Sequence, residues 1–255
     1  MIINLPKLRI VKVNSLLLHE IYDPKRTDKL VDKIPKDKIF INPVIVGKVP
    51  REKKLVLLDG ANRLEAVKKL GFRDILIQEV NYLDPQEVEL SYSRHYLAFS
   101  INQQKTLLAE IKKIKGIDLK PIGLDLARKK AQGGFIIGYI KLDAFNKTYS
   151  FGSHKDLLRT TKILNQVVNL YAGKTEIYRL NELQYPKNNL SVEIGFRKYR
   201  PLEVLKIAKN HLRINSGLTR HLINNCAIHI NIPIKILKSK QSIRAKNIWL
   251  DKFIK

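Results

Sequence analysis

The chain has 255 residues, 44% of them hydrophobic, and 48 Lys and Arg stand against 23 Asp and Glu for a formal charge of +25. That length supports one large domain or two small ones with a real core, and a charge of this size fits either a nucleic-acid binder or an enzyme of polyanionic substrates. Cys226 is the only cysteine, which excludes an intramolecular disulfide and a cysteine-based zinc site, and the absence of an apolar leader or an 18-residue apolar run makes a cytoplasmic protein without a membrane span the expectation.

Residues 7–18, KLRIVKVNSLLL, read as a strand and its exit. In HEIYDPKRTDKLVDKI (19–34), Asp23-Pro24 breaks the chain, and Leu30, Val31 and Ile34 form the apolar face of a short helix. NPVIVGKV (42–49) and KLVLLDG (54–60) are apolar strands separated by the turn PREKK. NRLEAVKKLG (62–71) places Leu64, Val67 and Leu70 on one helix face and ends at the natural cap Gly71. ILIQEV (75–80) is a further strand, and this βαββαβ order predicts a compact α/β unit.

DPQEVELSYSRHYL (84–97) is expected as a helix entered through Asp84-Pro85, and QQKTLLAEIKKIK (103–115) as an amphipathic one. FIIGYIKL (135–142) and KTYSF (147–151) read as a hairpin after Gly133-Gly134. KDLLRTTKILNQVVNLYAG (155–173) and RPLEVLKIAKNHL (200–212) read as helices, and AIHINIPIKIL (227–237) alternates like a strand. The expected class is α/β (α+β), with a first domain over 1–82, a helical connector over 83–120 and a second α/β domain over 121–255.

The corner at LVLLDGANRLEAVKKLG (55–71) carries the most chemistry. If the strand ends at Leu58 and a helix begins near Asn62, the amides of 60–63 lack intrahelical partners and face outward with positive partial charge, which suits a phosphate. Gly60 permits close approach and a positive φ, Arg63 can fork onto phosphate oxygens, and Asp59 beside a phosphate makes sense with Mg²⁺ between them. The simpler alternative leaves Asp59 as an N-cap, Gly60 as a turn residue and Arg63 as a solvated helix residue.

This corner resembles the phosphate-binding motif of the ParB/sulfiredoxin superfamily, and NPVIVGKVPREKKLVLLDG (42–60) is similar to that superfamily's pair of strands. Two further stretches narrow the resemblance to the free L-serine kinases. LLHEIYDPKR (17–26) resembles their His-Glu-x-x-(acid)-Pro-x-Arg segment, and SGLTRHLINNCAIHINIPIKIL (216–237) their C-terminal Thr-Arg-His segment and following strand. One departure is Asn62, which stands where the family carries His; Asn can cap the helix and donate to a phosphate but cannot become cationic.

The resemblance implies a ParB/sulfiredoxin-like N-terminal domain packed on a second α/β domain, with the active-site cleft between them. It implies phosphoryl transfer from ATP or ADP to free L-serine, giving O-phospho-L-serine, with Mg²⁺. Glu20 would be the general base, and Asp59 a catalytic metal ligand. Gly60, Ala61, Asn62 and Arg63 would bind the nucleotide phosphates. Thr219, Arg220 and His221 would hold the amino acid, Arg220 on its carboxylate, and Tyr92 would stand for the family's aromatic after the first domain. Taken alone, Glu20 reads as a surface residue starting a helix, with His19 as its neighbour, and the alternative for 219–221 is a basic turn.

His95, His154, His211 and His229 show no metal spacing, and His229 alternates with Ile228 and Ile230 as a strand residue would. YSFGSHK (149–155) could line a cleft, and Cys226 shows no Cys/His dyad. The main alternative function is a ParB-like DNA-binding partition or regulatory protein, supported by the charge. Against it, residues 103–132 offer one clear helix where a helix-turn-helix needs two. A ParB-like nuclease lacks a cluster of carboxylates. L-serine and a nucleotide are the expected partners, DNA is not favoured, and oligomeric state is left open.

Overall fold

The computed structural model describes residues 6–153, 155–179 and 191–254. The chain forms two compact units. The first comprises Met1–Glu89, Val204–Ser216 and His221–Lys255, and the second Leu90–Glu203 and Gly217–Arg220.

The first unit begins with β1 (Lys7–Lys12), β2 (Leu16–Leu17), α1 (Pro24–Asp37), β3 (Ile39–Phe40), β4 (Val44–Lys48), β5 (Leu55–Asp59), α2 (Ala61–Lys69) and β6 (Asp74–Asn81). The next strand, β7 (Val88–Ser91), carries the chain into the second unit. The five-stranded sheet has the order β1-β6-β4-β5-β2. The pairings β4/β6 and β2/β5 are parallel, whereas β1/β6 and β4/β5 are antiparallel. Its strands are near-continuous apolar runs because both faces are covered; Val44, Val46, Ile75, Leu76 and Ile77 are all buried. The helix α2 ends as the sequence predicts. Gly71, at φ 70, donates to Lys68 O, and Phe72 N–H reaches back to Val67 O, a Schellman closure. The first helix runs beyond Ile34, through Pro35 to Asp37.

The second unit contains β8 (Arg94–Leu97), α3 (Ile101–Lys113), β9 (Lys120–Pro121), α4 (Leu124–Gln132), β10 (Gly138–Leu142), β11 (Lys147–Ser150), α5 (Leu157–Asn169) and β12 (Val192–Phe196). Its five-stranded sheet is antiparallel, in the order β8-β12-β10-β11-β9. The predicted hairpin is present as β10 and β11, with Tyr139 opposite Ser150 and Leu142 opposite Lys147. The stretch 103–132 holds two helices, α3 and α4, but β9 lies between them, so they do not form the tight turn of a helix-turn-helix.

The predicted helix at 84–97 is instead β7 and β8. Val88 and Leu90 are buried while Glu89 is exposed, and this period of two overrides the Asp-Pro entry signal. The remaining elements are α6 (Pro201–Lys209), β13 (Arg220–Ile223), β14 (Ile232–Pro233), α7 (Ile234–Lys238) and α8 (Ile243–Phe253). The expected strand over 227–237 shrinks to β14 followed by α7. His229 and Asn231 have φ of 55 and 57, which breaks a strand, so His229 is an exposed loop residue. Gln78, itself buried, holds the loop through Asn225 O (3.0 Å) and Ala227 N–H (2.8 Å).

The compact units cut across the expected order 1–82, 83–120 and 121–255. The physical reason is apolar: Ile232, Ile234, Leu237 and Leu250 join Ile10, Val44 and Leu76 in one core. Lys246, fully buried, donates to Asp74 (2.6 Å), Leu237 O (2.9 Å) and Ser239 O (2.8 Å), so all three ammonium protons have acceptors. The Asn247 amide pairs with both backbone groups of Ile10, at 2.8 and 2.9 Å, on the edge strand β1. Among the described residues no helix is long and apolar enough to cross a membrane.

Candidate active site

The corner between β5 and α2 is built as the motif requires. Asp59 is the last residue of β5, and Gly60 is the N-cap of α2 at φ 98. A Cβ at Gly60 would lie 2.7 Å from Val44 Cγ1 and 2.9 Å from Arg63 Nη2, so glycine is required both by backbone conformation and by space. The first turn of α2 carries no side-chain cap, which leaves the amides that follow Gly60 available to an anion. Arg63 turns back onto Asp59, Nη2 to Oδ2 at 2.6 Å, while its Nε is sealed from solvent without an acceptor.

Asn62 does something the sequence did not show. Its Oδ1 accepts from Asp23 N–H at 2.7 Å and from the Thr27 hydroxyl at 3.3 Å. Asp23 is the N-cap of α1, and its own side chain accepts from Arg26 N–H. Asn62 therefore supplies, from another helix, the reciprocal half of a capping box. The expectation that its side chain caps α2 is corrected: the oxygen serves α1, and the N-termini of α1 and α2 are tied to one another.

Glu20 reaches the same end of the sheet by register. β2 runs parallel to β5, with Leu16 opposite Leu55 and Leu17 opposite Val56. Two residues on, His19 still hydrogen-bonds the Leu57 backbone. Glu20 thus leaves the sheet at the carboxyl end of β5, where Asp59 sits, in the position where open α/β sheets bind ligands. A parallel bridge to Ile214 holds it there, with His19 O accepting from Ile214 N–H at 2.7 Å and Ile21 N–H donating to Ile214 O at 2.8 Å.

Two histidines back this site. His19 and His221 stand edge to face, with centroids 5.3 Å apart. His221 hydrogen-bonds the Leu58 backbone, and its Nε2 meets the Tyr82 hydroxyl at 2.8 Å. Burial pushes the His19 imidazole down to about 4, with the Arg213 charge adding to the effect, and burial with His19 beside it pushes His221 well below the ordinary range. Both rings are neutral near pH 7, and both are pegged to the last residues of β5 before Asp59. Arg213 Nη1 donates to Leu18 O at 2.5 Å. His19, Tyr82 and Arg213 were not singled out from sequence. His19 had a signal, its place beside Glu20; Arg213 had none.

Thr219 and Arg220 belong to the second unit, whereas His221 belongs to the first. Thr219 is buried and Arg220 exposed. Tyr92 is buried among Ala127, Ala131, Ile136 and Tyr139, and its hydroxyl donates to Tyr139 at 2.9 Å, the placement of a packing residue. His95 is buried in the second unit, His211 is exposed, and His154 lies outside the described residues. The Cys226 thiol is pushed up by partial burial and then by the Asp59 charge, the opposite of what activates a nucleophile.

Among the described residues no three His, Cys, Asp or Glu side chains gather as a metal cluster. The site does fit a Mg²⁺ held in the manner of phosphoryl-transfer enzymes, by one carboxylate with substrate phosphates and water. Asp59 is exposed and commits Oδ2 to Arg63, and the side next to it is kept clear by the missing Cβ of Gly60.

No family model matches the chain. It is 30% identical over 239 residues to an ATP-dependent L-serine kinase of Staphylothermus marinus, spanning 90% of both sequences. It is 24% identical over 246 residues to the ATP-dependent L-serine kinase SbnI of Staphylococcus aureus, covering 95% of this chain and 88% of that one. The fold matches a solved structure of C-terminally truncated SbnI with TM-score 0.77 at 17% identity, over 97% of this chain and 95% of that chain. It also matches a free serine kinase in complex with AMP, with TM-score 0.69 at 18% identity, over 93% and 98% of the two chains. A sequence relationship that runs nearly end to end, on the same fold, shows that this chain belongs to the family of ATP-dependent L-serine kinases.

Proposed function

We propose that the chain phosphorylates free L-serine with ATP, giving O-phospho-L-serine and ADP. The observation that carries this reading is the parallel register of β2 on β5, which brings Glu20 and Asp59 to one end of the sheet beside the open N-terminus of α2. The DNA-binding reading has no need of a second carboxylate there.

The serine hydroxyl oxygen attacks the γ-phosphorus as the bond from that phosphorus to the β,γ-bridging oxygen breaks. The hydroxyl proton passes to the Glu20 carboxylate, and ADP leaves. Such transfers are assisted mainly by positioning and charge, with the base accepting its proton late. The amides after Gly60 and the Arg63 guanidinium hold the phosphates. Asp59 would hold Mg²⁺, which supplies charge neutralisation on the phosphate oxygens. Thr219 and Arg220 bind the amino acid, Arg220 taking the carboxylate. His221 shapes that site while its ring nitrogens hold Tyr82 and Leu58. We place the reaction in the cytoplasm, where ATP and free serine coexist.

The test is product detection. Protein incubated with L-serine, Mg²⁺ and either ATP or ADP is examined for O-phosphoserine by mass spectrometry. Product with ATP is expected, and Glu20→Gln should lower kcat by about 10²- to 10⁴-fold without changing the melting temperature. A Glu20→Gln enzyme with full activity would remove Glu20 from the role of base. Lack of product with either nucleotide would remove the kinase reading.

A further inference from the structure

The carbonyl of Gly217 is gripped from two sides within the second unit. The Ser93 hydroxyl donates to it, and His95 Nε2 lies 3.3 Å from it. Because a carbonyl only accepts, Nε2 carries the proton, and His95 Nδ1 must accept from the Tyr171 hydroxyl at 2.8 Å. His95 and Tyr171 are both fully buried, and Phe196 closes the other edge of the imidazole at 4.9 Å between centroids. The chain thus places a fixed-tautomer histidine, a tyrosine and a serine on one peptide oxygen.

Gly217 stands in a conformation that strains any residue with a Cβ. Its φ is 87, and a Cβ would run into the Arg179 guanidinium. Three successive residues follow it, Leu218 buried, Thr219 buried and Arg220 exposed, and then the chain returns to the first unit at His221. With so short a segment after a fixed peptide, the directions of the Thr219 and Arg220 side chains depend on how Gly217 is held. Ser93 directly precedes β8 and His95 lies within it two residues on, so one short stretch of chain supplies both grips.

We propose that Ser93, His95 and Tyr171 are positioning residues for the amino-acid substrate, setting the Gly217 peptide and through it Thr219 and Arg220. The inference rests on the serine-site reading above. None of the three touches substrate; they act on affinity for the amino acid and leave the nucleotide site alone.

Steady-state kinetics with L-serine and ATP varied separately tests this. Ser93→Ala and Tyr171→Phe are expected to raise the KM for L-serine several-fold, and His95→Phe by about tenfold, the size of one lost buried hydrogen bond. The KM for ATP should stay within about twofold in each. His95→Gln, which keeps a donor for Gly217, should recover part of the loss. Equal rises in both KM values, or no rise for serine, would overturn the clasp. If His95→Phe fails to fold, Ser93→Ala and Tyr171→Phe carry the test, since each removes one hydroxyl and leaves the packing. Arg220→Ala separates the two claims. If it leaves the KM for serine unaltered, the serine-site reading fails; if it raises that KM while the three clasp variants do not, the clasp alone fails.

Discussion

At Gly60 the backbone and the chemistry make the same demand. A residue with a Cβ there would adopt an unfavourable left-handed conformation and press on Val44 and Arg63. Gly60→Ala is therefore expected to cost about 1–2 kcal/mol of stability and to raise the KM for ATP more than the KM for serine. Denaturant unfolding and two-substrate kinetics read the two effects separately. A variant with an unchanged KM for ATP would detach this corner from the phosphates. The local geometry of Asp59, Gly60 and Arg63 was legible in the sequence, because a strand that runs through Asp-Gly into a helix sets a carboxylate, an uncapped helix start and a guanidinium side by side. Asn62 was not, because its partner Asp23 lies 39 positions away and only the packing of α1 on α2 brings them together.

At the level of elements, long apolar periodic stretches were legible and short polar ones were not. The strands β4, β5 and β6 and the helices α2 and α5 follow their patterns, since each buries a continuous apolar face. The stretch 84–97 was misread because Asp-Pro is a local signal, whereas Val88 and Leu90 answer to burial. The loop at 227–231 alternates like a strand, but its N–H groups go to scattered acceptors, Ala227 to Gln78, His229 to the Asn42 side chain and Asn231 to Ile41 O. The helix α8 was not anticipated, and its hold on the sheet depends on Lys246 and Asn247, whose partners lie at distant positions. Lys246→Met leaves Asp74 buried without its cation and should destabilise the protein by about 3–5 kcal/mol. Lys246→Met with Asp74→Leu should recover much of that loss in denaturant unfolding, because the pair is then replaced by apolar groups.

For the molecule as a whole, buried neutral histidines set the acid limit of stability. His19 faces His221 and the Arg213 charge, and His95 faces Tyr171, Phe196 and the Arg179 charge. Burial holds His19 at about 4 and His95 at about 3. In the unfolded chain each titrates near 6.5. Below about 6.5 the unfolded state therefore binds protons that the native state refuses, and stability falls with pH, by up to about 1.4 kcal/mol per pH unit for each histidine, until the folded value is reached. Melting temperatures should drop steadily from pH 7 to pH 5, a window above the ordinary carboxylate range. A flat profile over that window would mean that these rings are not held neutral. No sequence pattern announces such burial, because it arises where distant strands and loops close over a ring.

The first unit is completed by the last stretch of chain: α8 plugs the edge of β1, and Ile232, Leu237 and Leu250 fill the core that Ile10 begins. During synthesis the ribosome must therefore deliver residues 90–203 before it delivers the partners of the first strands. The inserted unit has almost all of its sequence available early and can close first, whereas the amino-terminal strands wait with an unfilled core. A nascent chain stalled before α7 should be open to proteases in its oldest residues and resistant in its younger ones. The order of birth and the order of folding run in opposite directions.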